Sequence, residues 1–406
     1  MLRSTPLKST TAAPVATPNP LLQGPQVLLQ DPALQSAVTV DQCVSHLSLL
    51  RIFNTLRGTT EQADLAYLCH AERRYALWMN GLAKAVAAGE THLIESPPMP
   101  PVDVALVWAA HLLSPLAYMD DVIRNHGVEL NLHAIKFPLE DIVAQYESGT
   151  ASVSGLAFAM PVTCPMCSHE TMLESSSAIV GFRVHGHSTT CTHCSAEFAL
   201  EHVAAKRFLD DLITREYQPS ANRAMLANVF VRSPMWSALA TKAATTMPLT
   251  KDMSGVLDMA PVLKPGMQPW FKRIMSLYAA AAPSGPMMSL DLVQAVIRQR
   301  EFTAKMARDA VQENAEQFAA RACDRYRKFL MLIQEYPTPS VPTLDIDLAW
   351  HTHQLMAREY THFTHGFLGF VLNHDDTVGK DELKVGDEGT AQRWMDKYGG
   401  ASSLCY

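Results

Sequence analysis

Two stretches lying far apart in the chain align without a gap. One reads PPVDVALVWAAHLLSPLAYMDD near residue 100, the other PTLDIDLAWHTHQLMAREYTHF near residue 342. Asp103 meets Asp345, Leu106 meets Leu348, Trp108 meets Trp350, His111 meets His353, Leu113 meets Leu355 and Tyr118 meets Tyr360. Upstream of each lies a helical segment with an Arg-Tyr pair, Arg74-Tyr75 and Arg325-Tyr326. Self-similarity of this kind means one supersecondary unit used twice, which restricts the chain to two related helical halves. In each copy the aspartate follows a proline-containing loop and predicts a helix N-cap. Ile346, Trp350, His353, Ala357 and Tyr360 then fall on one helical face. Val104, Trp108, His111, Pro115 and Tyr118 are their equivalents, with Pro115 expected to kink or end the first helix. A Trp–His–Tyr stripe kept in both copies reads as a packed face with a hydrogen-bonded core histidine. Two such helices are expected to pack on each other around a local two-fold.

The copies also differ. The second has Trp350-His351-Thr352-His353, the first Trp108-Ala109-Ala110-His111. Asp347 precedes His351 by four residues, which on a helix brings carboxylate and imidazole together. His362, His365 and Asn373-His374-Asp375-Asp376 follow. His351, His353, His374 and Asp375, with Asp347 orienting them, are therefore a candidate metal site or acid–base cluster. Side chains at i and i+2 of a helix diverge, so His351 and His353 share a metal only if the segment is extended. Structural hydrogen bonding is the competing reading.

Between the copies lie Cys164-Pro-Met-Cys167 and Cys191-Thr-His-Cys194. Each pair puts two thiolates on one tight turn, and the two turns complete a tetrahedral sulfur site for a structural zinc with no open position for water. The intervening AIVGFRVHGHSTT alternates apolar and polar residues and predicts strands, hence a small β zinc ribbon. His169, His185, His187 and His193 read as surface or supporting residues rather than ligands. The other cysteines, Cys43, Cys69, Cys323 and Cys405, are scattered, and no secretory signal is visible. That pattern predicts buried thiols in a reducing compartment rather than disulfides.

Composition narrows the partners. The chain has 406 residues, 48% hydrophobic, with a formal net charge of -7. Near the ribbon the basic residues are few (Arg183, Lys206, Arg207), which argues against nucleic acid. No apolar run reaches the ~18–20 residues that span a bilayer. A cytoplasmic location is expected, with the nucleus as the alternative. The Ser/Thr/Pro-rich start reads as a disordered tail rather than an organelle transit peptide. The expected organisation is a tail (1–40), a first helical half (41–155), the ribbon insertion (156–205), a helical linker or core segment (206–300) and a second helical half (301–406). Within 222–285 the chain is Met- and Ala-rich, with a loop at 264–269. The fold class is mainly α: two related helical halves with an inserted small β zinc ribbon.

VPTLDIDLAWHTHQL (341–355), VLNHDD (371–376) and GTAQRWMDKYG resemble the glycine-rich domain-containing protein-like family of plants and fungi. HLSLLRIFNTLR, ERRYALWM, PPVDVALVW, SLDLVQAVIRQREFTAKM and the double CxxC are similar to its fungal branch, over roughly residues 41 to 400. With 19 glycines, the chain has the core without a glycine-rich tail. The resemblance implies a domain of unknown function. It also implies that the first copy is structural here, since Ala109 stands where that copy usually has the first histidine of a WHxH motif. Three functions follow as expectations. The first is a non-enzymatic scaffold with a structural zinc that binds a protein or a small molecule. The second is a metal-dependent hydrolase or oxygenase built on the His/Asp cluster. The third is nucleic-acid binding through the ribbon.

Overall fold

The computed structural model describes residues 34–35, 37–149, 159–217, 276–279, 288–312, 314–377 and 379–399. Nearly all of the expected N-terminal tail, the 264–269 loop and most of the Met-rich stretch lie outside these.

The first half opens with α1 (Val40–Thr55), started by a capping box. The Thr39 hydroxyl accepts from the Gln42 N–H, and the Gln42 side chain accepts from the Thr39 N–H at 2.9 Å. Helix α2 (Glu61–Ala87) is capped by Thr60. Then come α3 (Val102–Leu112), α4 (Pro115–His126) and α5 (Leu139–Glu147). As expected, Pro115 ends one helix. It occupies the first turn of α4, where its missing N–H costs nothing, and α3 and α4 meet at 112°. The second half has the same order: α8 (Leu292–Gln312), α9 (Ala315–Glu335), α10 (Leu344–Gln354) and α11 (Ala357–Leu368), followed by α12 (Lys380–Tyr398). Helix α8 crosses the boundary expected at 300.

Between the halves lie two antiparallel hairpins, β1 (Met160–Thr163) with β2 (Glu170–Leu173) and β3 (Thr189–Thr190) with β4 (Glu197–Phe198). Helix α6 (Ser176–Arg183) separates them, and α7 (Leu200–Tyr217) follows. The strand expected over Ala178–Arg183 is thus a helix. Ser175 caps it through the Ala178 N–H at 3.2 Å, and Ile179, Phe182 and Arg183 bury at i, i+3 and i+4. Only Thr189-Thr190 of that stretch is strand.

Among the described residues the core has two large clusters, and α1 and α8 belong to both. Leu49, Ile52 and Phe53 of α1 pack with α2, α3 and the ribbon, whereas Cys43, Leu47 and Leu50 pack with α9 and α10. Likewise Leu292, Val293 and Val296 of α8 sit in the first cluster and Met306 in the second. The halves therefore exchange helices rather than merely abut. No single described helix is long and apolar enough to cross a membrane.

The residues that repeat in sequence are bonded partners in space. Arg74 of α2 binds the buried Asp103 of α3, and Arg325 of α9 binds Asp345 of α10 at 2.9 Å. The Tyr75 hydroxyl meets His111 Nδ1 at 3.0 Å, and the Tyr326 hydroxyl meets His353 Nδ1 at 3.1 Å. The aspartates are not N-caps as expected. Pro101 and Thr343 hold that position, and the carboxylates turn back to the arginine of the preceding helix instead.

Candidate metal centres

Four cysteines converge. Cys164 Sγ lies 3.7 Å from Cys194 Sγ, and Cys167 Sγ lies 3.6 Å from Cys191 Sγ. A disulfide needs about 2.05 Å, whereas thiolates on a tetrahedral metal with ~2.3 Å bonds stand ~3.8 Å apart. The two turns have one geometry. Ser168 N–H donates to the Cys164 carbonyl at 2.9 Å and Ser195 N–H to the Cys191 carbonyl at 3.0 Å. Ser168 and Ser195 both take the left-handed conformation, φ 60° and 61°. This closes each knuckle so that the backbone faces sulfur. Amide hydrogen bonds from Cys194, then His193, hold Cys191 well below an ordinary thiol, at about 5. That favours the thiolate at Cys191, whereas at Cys167 the His169 amide is outweighed by burial and the facing thiols, which push it up to about 12. The four sulfurs can hold one ion. His169 and His193 are exposed and stack on each other at 5.1 Å, away from any ligand role.

The ribbon is fastened to both halves. Cys164, Cys191, Phe182 and Phe198 belong to the first core cluster. Arg183 is buried and reaches Glu72 of α2 at 2.8 Å and Asp291, just before α8, at 2.9 Å. Burial alone would depress this guanidinium, but the two carboxylates outweigh it and hold its pKa above the ordinary value.

A second convergence lies in the other half. His351 Nε2 stands 3.2 Å from Asp347 Oδ1 and 3.2 Å from His374 Nε2, and His374 Nε2 stands 3.9 Å from Asp347 Oδ1. These three donors lie within 4.8 Å of one another. Helix α10 supplies Asp347 and His351 one turn apart. His374 arrives on the loop after α11, which Asp376 anchors to Arg298 (2.9 Å) and Gln299 (3.2 Å) of α8. Ring edges fix the imidazoles: Phe302 on His351 at 4.7 Å, Trp350 on His374 at 5.1 Å. Burial pushes Asp347 up, yet His351 and His374 hold it below an ordinary carboxylate. Burial, then His351, lowers His374.

Two of the five expected residues do not join this cluster. His353 points off the opposite flank of α10, as i+2 geometry requires, and is spent on Tyr326. Its ring is also edged by Tyr360 and Phe363, and burial takes it down to about 3. Asp375 is exposed and caps the local turn, accepting from Thr377 N–H at 2.9 Å.

Sequence reasoning missed a cavity between the halves. It has a volume of about 40 Å³ and is lined by α1, α3, α8 and α10. Its wall is apolar at Phe53, Leu106, Ala110 and Leu355 and polar at His46, Gln299, Thr303 and His351. Thr352 Oγ1 donates to the Leu348 carbonyl at 2.7 Å, so His46 Nδ1 must carry the proton it shares with Thr352 at 2.8 Å. Burial, then His351, lowers His46 to about 3. Gln299 Oε1 and His351 Nδ1 are buried without a hydrogen-bond partner among the described residues.

Comparison with known proteins places the second half. Residues 272–362 match the family described as Glycine-rich domain-containing protein-like. Glycine-rich domain-containing protein 2 of Arabidopsis thaliana is 41% identical over 119 residues, 27% of this chain and 15% of that protein. Glycine-rich domain-containing protein 1 of the same plant is 40% identical over 118 residues, 27% of this chain and 14% of its own length. The match thus spans about a seventh of these relatives. No solved structure matches the chain.

Proposed function

We propose, from the premise that residues 272–362 carry a glycine-rich domain-containing protein-like domain, that this chain is a zinc-stiffened helical scaffold that binds a small molecule between its halves. The observation that carries this reading is the cavity, which both halves and both exchanged helices build. A water needs about 10–15 Å³ of such space, so 40 Å³ accommodates about three waters or one molecule of two or three heavy atoms. The two unpartnered polar atoms supply an acceptor and an imidazole nitrogen to orient it.

Zinc is the ion that best suits four thiolates in a closed tetrahedron. Its role would be structural, since sulfur fills every position and the site lies against the core. A nucleic-acid role through the ribbon has less support. Arg183 is buried in its ion pairs and Lys206 is paired with Asp210. Cys43 and Cys323, 3.6 Å apart in a thiol–thiol hydrogen bond rather than a disulfide, fit a reducing intracellular compartment.

Formamide is a suitable probe, being three heavy atoms in size and able to donate to Gln299 Oε1. Titrated into the protein, it should raise the melting temperature. An Ala110→Phe variant, which fills the cavity, should abolish the response while remaining folded. An equal response in that variant, or none in the wild type to formamide and like-sized alcohols, contradicts the reading.

A further inference from the structure

We infer that Asp347, His351 and His374 bind one first-row divalent transition metal as a facial three-donor site, with its remaining positions open to water or a small oxygen-donor anion. This goes beyond the scaffold reading and stands without it.

Three observations carry the inference. The first is geometry. Two imidazole nitrogens and a carboxylate oxygen on a metal with ~2.0–2.1 Å bonds stand roughly 3.0–3.4 Å apart. Two of the observed separations, 3.2 Å each, fall in that range, and the third, His374 to Asp347 at 3.9 Å, has to close by about half an ångström on loading. The donors differ in type from the four cysteines: nitrogen and oxygen suit iron, zinc, cobalt or nickel. Three protein donors also leave positions vacant, as catalytic sites do and structural ones do not.

The second is bonding. Asp347 Oδ1 lies 3.2 Å from His351 Nε2 but is buried without a hydrogen-bond partner. The two atoms are close without the alignment of a hydrogen bond. Between the two Nε2 atoms, at 3.2 Å, only one proton fits. Lone pairs and a carboxylate charge thus converge with too few protons to reconcile them, and a cation at their centre does so.

The third is the other half, which acts as an internal control. Asp347 and His351 align with Ala105 and Ala109. The Tyr118 and Tyr360 hydroxyls both reach a leucine carbonyl, that of Leu132 at 3.5 Å and that of Leu372 at 2.6 Å. Counting from those leucines, His374 corresponds to Ala134. The same unit packs with alanine at all three places, so packing does not require the triad. His353 is the opposite case: its equivalent His111 is kept, and both are bonded to tyrosine.

The test uses the full chain, stripped with a chelator and reloaded with Co(II), Zn(II) or Fe(II). Wild type should take up two equivalents. With Co(II) it should show both thiolate charge-transfer absorption and hyperfine-shifted, exchangeable imidazole N–H signals in proton NMR. Sodium acetate should shift the visible Co(II) bands of the second ion, since its open positions accept carboxylate oxygen. The variant D347A/H351A/H374A should lose one equivalent and the imidazole signals, and keep the thiolate absorption. A single equivalent in wild type under all three metals overturns the site. So does a second equivalent retained in the variant, or wild-type Co(II) protein without imidazole signals. Cobalt bands indifferent to acetate overturn the open positions. The NMR readout needs only the wild type, so it decides even if the variant misfolds.

Discussion

His111 and His353 sit at the same register of the same helix, and each shares a proton with the tyrosine of the preceding helix. Their far sides differ. His111 Nε2 meets Asp121 at 3.3 Å, and that carboxylate also accepts from the Ser289 N–H at 2.7 Å. Asp121 is therefore tied to the segment leading into α8. His353 meets Phe363, three residues beyond Tyr360 as Asp121 is three beyond Tyr118, and its ring is edged by Tyr326, Tyr360 and Phe363. The first half thus places its polar network under the histidine at the core. The second keeps that place apolar and gathers its polar groups one turn away, at Asp347, His351 and His374. One helical unit has been used twice, once with alanine at three places and once as a frame for three converging donors.

Predictions that strain this comparison follow from the largest effect down. Replacing Cys191 by Ser should be most severe, because it removes one of four ligands from a site set into the first half's core. Structural zinc sites contribute about 10–16 kcal/mol of apparent binding energy, so the ribbon and its contacts with α2 should lose protease resistance, as should wild type under strong chelation. If the second half's protection falls as far, the two halves are less distinct than drawn here.

Next is the repeated ion pair. Arg74→Ala strands Asp103, whose side chain is fully buried, and breaking such a pair costs about 3–5 kcal/mol. Arg325→Ala should cost about half that, because Asp345 keeps the Ile346 N–H at 3.0 Å and the Thr343 hydroxyl. Urea unfolding of both variants checks the order, and equal losses would break it.

The pH dependence is smaller and is shared, His46 of α1 and His353 of α10 both being lowered by burial. His353 titrates near 6.5 when unfolded and is pushed down to about 3 when folded, by burial. A depressed value means that its contribution is fully present above pH 6.5 and is lost as pH falls towards 3. The slope from this group is at most about 1.4 kcal/mol per pH unit. Phe363→Asp would give His353 the kind of neighbour His111 has. It should raise the folded-state pKa, read by imidazole NMR, and flatten the acid limb. An unmoved titration would show that the far-side neighbour does not govern His353.

Smallest should be the stability change in D347A/H351A/H374A without added metal, within about 1 kcal/mol, since the first half carries alanine at each place. A much larger loss would make the triad a packing device.

Much of this was legible in the sequence because the repeat named its own partners. Arg74/Arg325 with Asp103/Asp345, and Tyr75/Tyr326 with His111/His353, recur together because they are bonded together. The CxxC pairs were equally plain, since their spacing fixes a local turn. Asp121 was not legible: its counterpart is Phe363, so no identity marked it. The alternation in AIVGFRVHGHSTT misled because Ile179, Phe182 and Arg183 also satisfy a helical period, and Ser175 decides the matter by capping. The exchange of α1 and α8 lay beyond reach, because an amphipathic helix states which face is apolar but not which half will cover it. Asp375 and Asp376 are alike in sequence, yet the loop turns Asp375 to solvent and Asp376 to α8.

The most direct measurement is anomalous diffraction from crystals of the full chain grown with added zinc or cobalt, with data collected on both sides of the metal's absorption edge. The account predicts two peaks per chain, one amid Cys164, Cys167, Cys191 and Cys194 and one between Asp347, His351 and His374, with no density at Ala105, Ala109 and Ala134. A lone peak at the cysteines, or a metal on His111 in the first half, would contradict it.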